Sequence, residues 1–204
     1  MNESKHIIIL GAGGHASVLI ELAISLKKSI LGLVAPSDTT VRNYPQVKYL
    51  GSDDNFHQHF SPNEVNLVNG IGSISVEKNE LRQHLFYHFK RMGYSFLTLV
   101  HPTAWVASSA QLGEGVQVMA GAIIQPNVHI ADNVIINTKA SVDHDCEIGH
   151  SVHIAPGATL SGGICVKERS FIGVGATLIQ GLHIDTGSMI KAGSTIIADV
   201  MSKQ

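Results

Sequence analysis

Cysteine is nearly absent: only Cys146 and Cys165 occur in 204 residues. Two thiols cannot build a disulfide framework, and their scarcity suits a reducing compartment. Aromatic residues are scarce too, at 5%, and charged residues make up only 15%. A formal net charge of −2 and a pI near 6.6 lack the basic excess that a nucleic-acid partner demands. No apolar run reaches the ~18 residues that a membrane-spanning helix needs. The segment Met1–Lys5 is polar and leads straight into a short apolar stretch. It has neither the basic region nor the longer apolar region of a signal peptide. The expectation is a soluble cytoplasmic protein with neither nucleic acid nor membrane as a partner. A hydrophobic content of 44% beside so small a net charge also excludes a disordered chain.

The chain is rich in Gly, with 20, and in His, with 12. Its two halves differ in pattern. In the first, His6–Leu10 reads as a buried parallel strand, followed by Gly11-Ala12-Gly13-Gly14-His15. Val18, Leu19, Leu22, Ala23 and Leu26 then recur at helical spacing. Ile30–Val34 and Glu64–Val68 read as further strands, the latter ending in Asn69-Gly70-Ile71-Gly72-Ser73. Glu80–Gly93 reads as a helix with Leu81, Leu85, Phe86 and Phe89 on one face. Strands alternating with helices predict a small parallel α/β domain of three or four strands over residues 1–105.

Residues 106–204 form a repeat. Read in sixes from Val106 to Ile196, the lead position is Val, Leu or Ile in all 16 hexapeptides. The position four later is small or aliphatic every time. A helix face recurs every ~3.6 residues and a strand face every ~2, so neither explains a period of six. The period fits a parallel β-helix in which each hexapeptide makes one flat side and a corner. Three sides make a coil of about 18 residues, which predicts a little over five coils. A narrow triangular bore takes Val, Ile and Ala but little aromatic bulk, which accounts for the 5% aromatic content.

The loop Gly11–Ala16 matches G-x-G-x-x-A between a strand and a helix. Such a loop brings backbone N–H groups and a helix N-terminus close to a phosphate. An NAD site also needs an acid at the end of the second strand. Here that place reads Val34-Ala35-Pro36-Ser37, with Asp38 past it. A single nucleoside diphosphate is the preferred ligand; NAD and a ligand-free structural turn are the alternatives.

Most of the histidines read as solvated, among them His57, His59, His84 and His88. His129 and His183 fall at the sixth place of hexapeptides and are expected to line one corner. Val142–His153 differs: it packs three His and three acids into 12 residues of a poorly charged half. A neutral imidazole is a suitable general base near pH 7, and a carboxylate beside it orients it and raises its basicity. His144 and Asp145 make such a pair. The plainer reading is an exposed polar face that keeps the β-helix in solution. Cys146 occupies a small-residue slot and reads as core, not nucleophile.

These features together resemble the sialic acid O-acetyltransferase and nucleotide-sugar N-acetyltransferase family, across nearly the whole chain. The carriers are the Gly11–His15 and Asn69–Ser73 loops, the His101-Pro102-Thr103-Ala104 junction, and His144-Asp145 within hexapeptides. The resemblance implies an α/β Rossmann-like domain for a UDP- or dTDP-sugar, and a left-handed β-helix of hexapeptide repeats for acetyl-CoA. The hand is inherited from the family, since the usual crossover rule predicts the opposite. It also implies a homotrimer with active sites between subunits, and no metal. His144 corresponds to the general base and Asp145 to its orienting carboxylate. The Gly162 N–H corresponds to the oxyanion donor, and His153, Val174 and Ala192 to acetyl-CoA contacts. Gly13, Gly14, His15 and Gly72 correspond to contacts with the sugar nucleotide. There are two departures: Ala35-Pro36 stands where the family has Asp-Asp, and no Gly-x-Pro-Ala-Lys-like loop follows Ala198.

The expected reaction moves acetyl to the 4-amino group of a nucleotide-linked 4-amino-4,6-dideoxysugar. The alternative is O-acetylation of a sialic-acid-like sugar. More distant readings are a zinc enzyme resembling the β-helix carbonic anhydrases and a non-catalytic nucleotide-sugar-binding protein.

Overall fold

A computed structural model describes residues 5–37, 44–52, 55–72 and 76–201, with the backbone alone at 76–78. Asp38, Ser73, Met1–Ser4 and Ser202–Gln204 lie outside the described residues. The chain divides into two compact units: Met1–Gly72 with Leu81–Leu97, and Ser73–Glu80 with Thr98–Gln204.

The first unit is built on β1 (His6–Leu10), α1 (Gly14–Ser25), β2 (Ile30–Val34), β3 (Lys48–Tyr49), β4 (Val65–Asn69) and the later part of α2 (Val76–Arg91). The strands form one parallel sheet in the order β3-β2-β1-β4. β1 is central, so Ile7, Ile8, Ile9 and Leu10 are fully buried and the strand reads as an unbroken apolar run. Val18 of α1 and Leu81 of α2 are each nearly half exposed, contrary to the helical faces read from the sequence. The buried face of α2 in this unit is Arg82, Leu85, Phe86 and Phe89.

The second unit is a parallel β-helix. Seventeen two-residue strands, from β5 (Leu99–Val100) to β21 (Thr195–Ile196), form three parallel faces of five, six and six strands. It begins one hexapeptide before Val106. Each strand pairs with the residue 18 further on, as in Ile136 with Ile154 and Ile154 with Ile172. The lead aliphatics and the residues four later point inward and form one continuous core. The third residue after each lead, from Gly115 to Gly193, has φ near +60°. Glycine takes that conformation freely, while Asn127, Asn133 and Asp145 belong to the few other types that tolerate it. His129 and His183 stand exposed on the flat five-stranded face, paired through Glu147 and Cys165, and not at a corner.

Candidate functional site

In the first unit, two loops meet at the carboxyl ends of β1 and β4. Gly11 has φ +102°, and a Cβ there would press on Ile71 Cδ1 at 2.9 Å. The Gly70 N–H donates to Leu10 O at 2.8 Å. Gly72 lies against His15, whose Cβ would be 3.3 Å from an added one. Gly13 and Gly14 face open space, with nothing within 4 Å of an added Cβ. Gly13 is the N-cap of α1 and makes no side-chain cap, the arrangement of a loop that lets an anion approach a helix N-terminus. Gly13, Gly14, His15 and Gly72 are therefore together.

The second loop is held by two side chains, of which the sequence reading passed over one, Arg82. Buried Arg82 donates from Nη1 to Asn69 O at 2.9 Å and to Ile71 O at 2.8 Å. Asn69 Nδ2 donates back to Arg82 O at 2.9 Å. Burial pushes the guanidinium down to about 9, which leaves it protonated at pH 7. Asn69 was visible as part of a loop. Arg82 sits in a charged helical stretch and carried no signal.

In the β-helix, His144 and Asp145 occupy the turn after Val142. The His144 N–H donates to Asp143 Oδ1 at 2.8 Å, which pins the turn. The ring Nδ1 lies 2.7 Å from Asp145 Oδ2. A carboxylate only accepts, so Nδ1 carries the proton and Nε2 presents the lone pair when the ring is neutral. The hydrogen bond the ring donates to Asp145 raises the His144 pKa above its ordinary value, burial opposes it, and the charges of Asp143 and Asp145 add to the rise. The Asp145 carboxyl is lowered by its hydrogen bonds to His144 and then Asn127.

Gly162 lies one coil on, directly against the ring. A Cβ there would stand 2.6 Å from His144 Cε1 and Nε2. The Ser161 N–H donates to Leu178 O and the Gly163 N–H to His144 O, while the Gly162 N–H has no acceptor among the described residues. A ring nitrogen with a free lone pair thus adjoins an unengaged backbone donor. That combination can take a proton and stabilise a nearby oxyanion.

His153 is a different kind of histidine, only 4% exposed. Its Nε2 is 3.0 Å from Asn137 Nδ2, and Asn137 Oδ1 accepts from the Thr138 N–H at 2.7 Å. The amide therefore donates, Nε2 accepts, and His153 is neutral with its proton on Nδ1. The Phe171 ring meets it edge-on at 5.1 Å. Asn137 was not read as functional from the sequence. Val174 and Ala192 are exposed, one coil apart, at the turn preceding the six-stranded face that His144 follows. His144, Asp145 and Gly162 form one corner column, and Val174 and Ala192 form another. Cys146 is buried, its Sγ donates to Ser161 O, and burial pushes its thiol up to about 11. Among the described residues, no group of three or more His, Cys, Asp or Glu is placed to hold a metal ion. No described helix is long and apolar enough to cross a membrane.

Two family models match: the PglD N-terminal domain over residues 6–87 and the bacterial transferase hexapeptide over 109–140. The acetyltransferase domain of PglB from Neisseria gonorrhoeae FA1090 is 33% identical, with 97% of this chain and 94% of that one covered and a TM-score of 0.87. PerB from Caulobacter crescentus, solved with CoA and GDP-perosamine, is 34% identical, with 97% and 91% covered and a TM-score of 0.86. The chain belongs to the hexapeptide-repeat nucleotide-sugar acetyltransferase family. Family membership assigns the second unit to the left-handed β-helix class. A GDP-perosamine N-acetyltransferase of Escherichia coli O157:H7 is 29% identical over 101 residues, 50% of this chain. That match spans about half of the relative, 46% of its length.

Proposed function

We propose that this chain transfers acetyl from acetyl-CoA to the 4-amino group of a nucleotide-linked 4-amino-4,6-dideoxysugar. The observation that carries the reading is the His144–Asp145 pair set against Gly162. In this reading His144 Nε2 takes a proton from the acceptor nitrogen as that nitrogen attacks the thioester carbon. Asp145 holds the ring in the required tautomer and stabilises the imidazolium. The Gly162 N–H receives the developing oxyanion. The tetrahedral intermediate then collapses, the C–S bond breaks, and coenzyme A leaves with the proton available on His144. His153, Val174 and Ala192 contact acetyl-CoA, and Gly13, Gly14, His15 and Gly72 hold the nucleotide. In this reading residues 1–105 act as the nucleotide-sugar domain and residues 106–204 as the acetyl-CoA domain. The enzyme is cytoplasmic and works as a homotrimer with sites between subunits.

The family resemblance favours UDP or dTDP, and the GDP-perosamine bound to PerB adds GDP to the panel. The N-acetyltransferase names of the relatives weigh toward an amine acceptor over a sialic-acid hydroxyl. Thiol release from acetyl-CoA with UDP-, dTDP- and GDP-linked 4-amino sugars and with free sialic acid tests the reading. Release is expected with a nucleotide-linked amine and is lost in His144→Ala. Release with sialic acid alone makes the enzyme an O-acetyltransferase. The base works unprotonated, and its hydrogen bond to Asp145 holds its pKa above the ordinary histidine value, so kcat/KM rises as pH passes upward through that raised pKa. Asp145→Asn removes the largest cause of the rise, so the acid limb is expected at lower pH with a smaller maximum.

A further inference from the structure

We propose that Asn127 is a positioning residue for the reaction, its side-chain amide fixing the carboxylate that orients His144. The inference rests on the reading of His144 as the base. Asn127 and Asp145 stand 18 residues apart, at equivalent left-handed turn positions of successive coils, with φ 60° and 59°. Asn127 Nδ2 donates to Asp145 Oδ1 at 3.1 Å. Asp145 Oδ2 accepts the His144 proton at 2.7 Å. Each carboxylate oxygen therefore has its own partner. The Asp145 side chain is 56% exposed, so packing alone does not hold its rotamer. Gly163, at the same position of the next coil, carries no side chain to do so.

Asn127 is itself anchored. Its N–H donates to Ser109 Oγ at 3.1 Å, and the Asp145 N–H donates to Pro126 O at 3.1 Å. The turn needs a residue that accepts positive φ, and the carboxylate needs a neutral donor. Asn supplies both, whereas Gly, common at this position, has no donor and Asp repels. The hydrogen bond from Asn127 also helps hold the Asp145 carboxyl below its ordinary pKa. The charged groups facing His144 are Asp143 and Asp145; the buried Cys146 thiol beside them is neutral.

The test is a pH profile of kcat and KM for the full-length chain, with acetyl-CoA and the amino-sugar acceptor. Asn127→Gly keeps the backbone conformation and removes the amide. Its kcat is expected to fall by about 10- to 100-fold, the scale of one hydrogen bond to a charged group, with KM for acetyl-CoA unchanged. Its acid limb moves to lower pH, because a loosened Asp145 supports the imidazolium less. Asn127→Asp adds a negative charge beside the pair, and its acid limb moves to higher pH. A structural role alone lowers the active fraction without moving either limb. If both variants keep the wild-type limb, the inference is overturned, whatever happens to kcat. His144→Ala separates the two failures: turnover that survives it removes the base reading itself, and the role of Asn127 with it.

Discussion

The space above Gly162 is taken by an imidazole. An added Cβ would come within 2.6 Å of His144 Cε1 and Nε2, and the ring is the part that can yield. Gly162→Ala is therefore expected to leave the fold intact, since no positive φ is demanded there. The displaced ring should lower kcat by about 100-fold, the scale of a base moved by ~1 Å. Steady-state kinetics beside a melting curve check this; unchanged kcat would falsify the contact. The adjacency of His144 and Asp145 made the pair legible in sequence. Gly162 was legible through its 18-residue spacing together with the family resemblance. Asn127 and Asn137 were not legible, because an Asn in a turn reads as turn chemistry until the partner across the coil is known.

At the scale of an element, α2 changes roles along its length. Its interior contribution to the first unit includes a cation, Arg82, whose donors reach the carbonyls of Asn69 at the end of β4 and Ile71 in the loop after it. Arg82→Leu keeps an apolar helix face but leaves the Asn69 and Ile71 carbonyls without these donors. A loss of about 3 kcal/mol is expected for a buried charged hydrogen-bond donor removed from its partners, read as a lower urea midpoint. Binding of the sugar nucleotide should weaken in parallel, because Gly72 sits on the loop so held. An unchanged midpoint would sink this account. Amphipathic spacing pointed to Leu81 instead, which is 46% exposed. Leu85, Phe86 and Phe89 are buried as the spacing predicts, and only the first position differs, because hydrophobicity alone cannot foresee a buried guanidinium satisfied by carbonyls. The hexapeptide strands were far more legible, since every coil repeats the same demand.

For the whole molecule, stability of the second unit comes from stacked aliphatics, a few per coil, in an unbroken column. Ile154 is fully buried between Ile136 and Ile172. Ile154→Ala should cost about 2–5 kcal/mol, whereas the outward Thr159→Ala should stay within about 0.5 kcal/mol. Urea denaturation of the two variants checks the contrast, and equal effects would contradict an inward Ile154. The sequence by itself determined the repeat, the inward residues and the order of an α/β unit before a β-helix. It could do so because a six-residue period and alternating strand and helix signals are local properties of the chain. Only the tertiary structure decided that the helix starts at Leu99, that His153 is buried and neutral, and that His129 stands on a face. It alone brought Asn127 to Asp145 and Arg82 to the carbonyls of Asn69 and Ile71. Those outcomes depend on hydrogen-bond partners across a coil or a sheet, and composition and spacing do not specify which donor meets which acceptor.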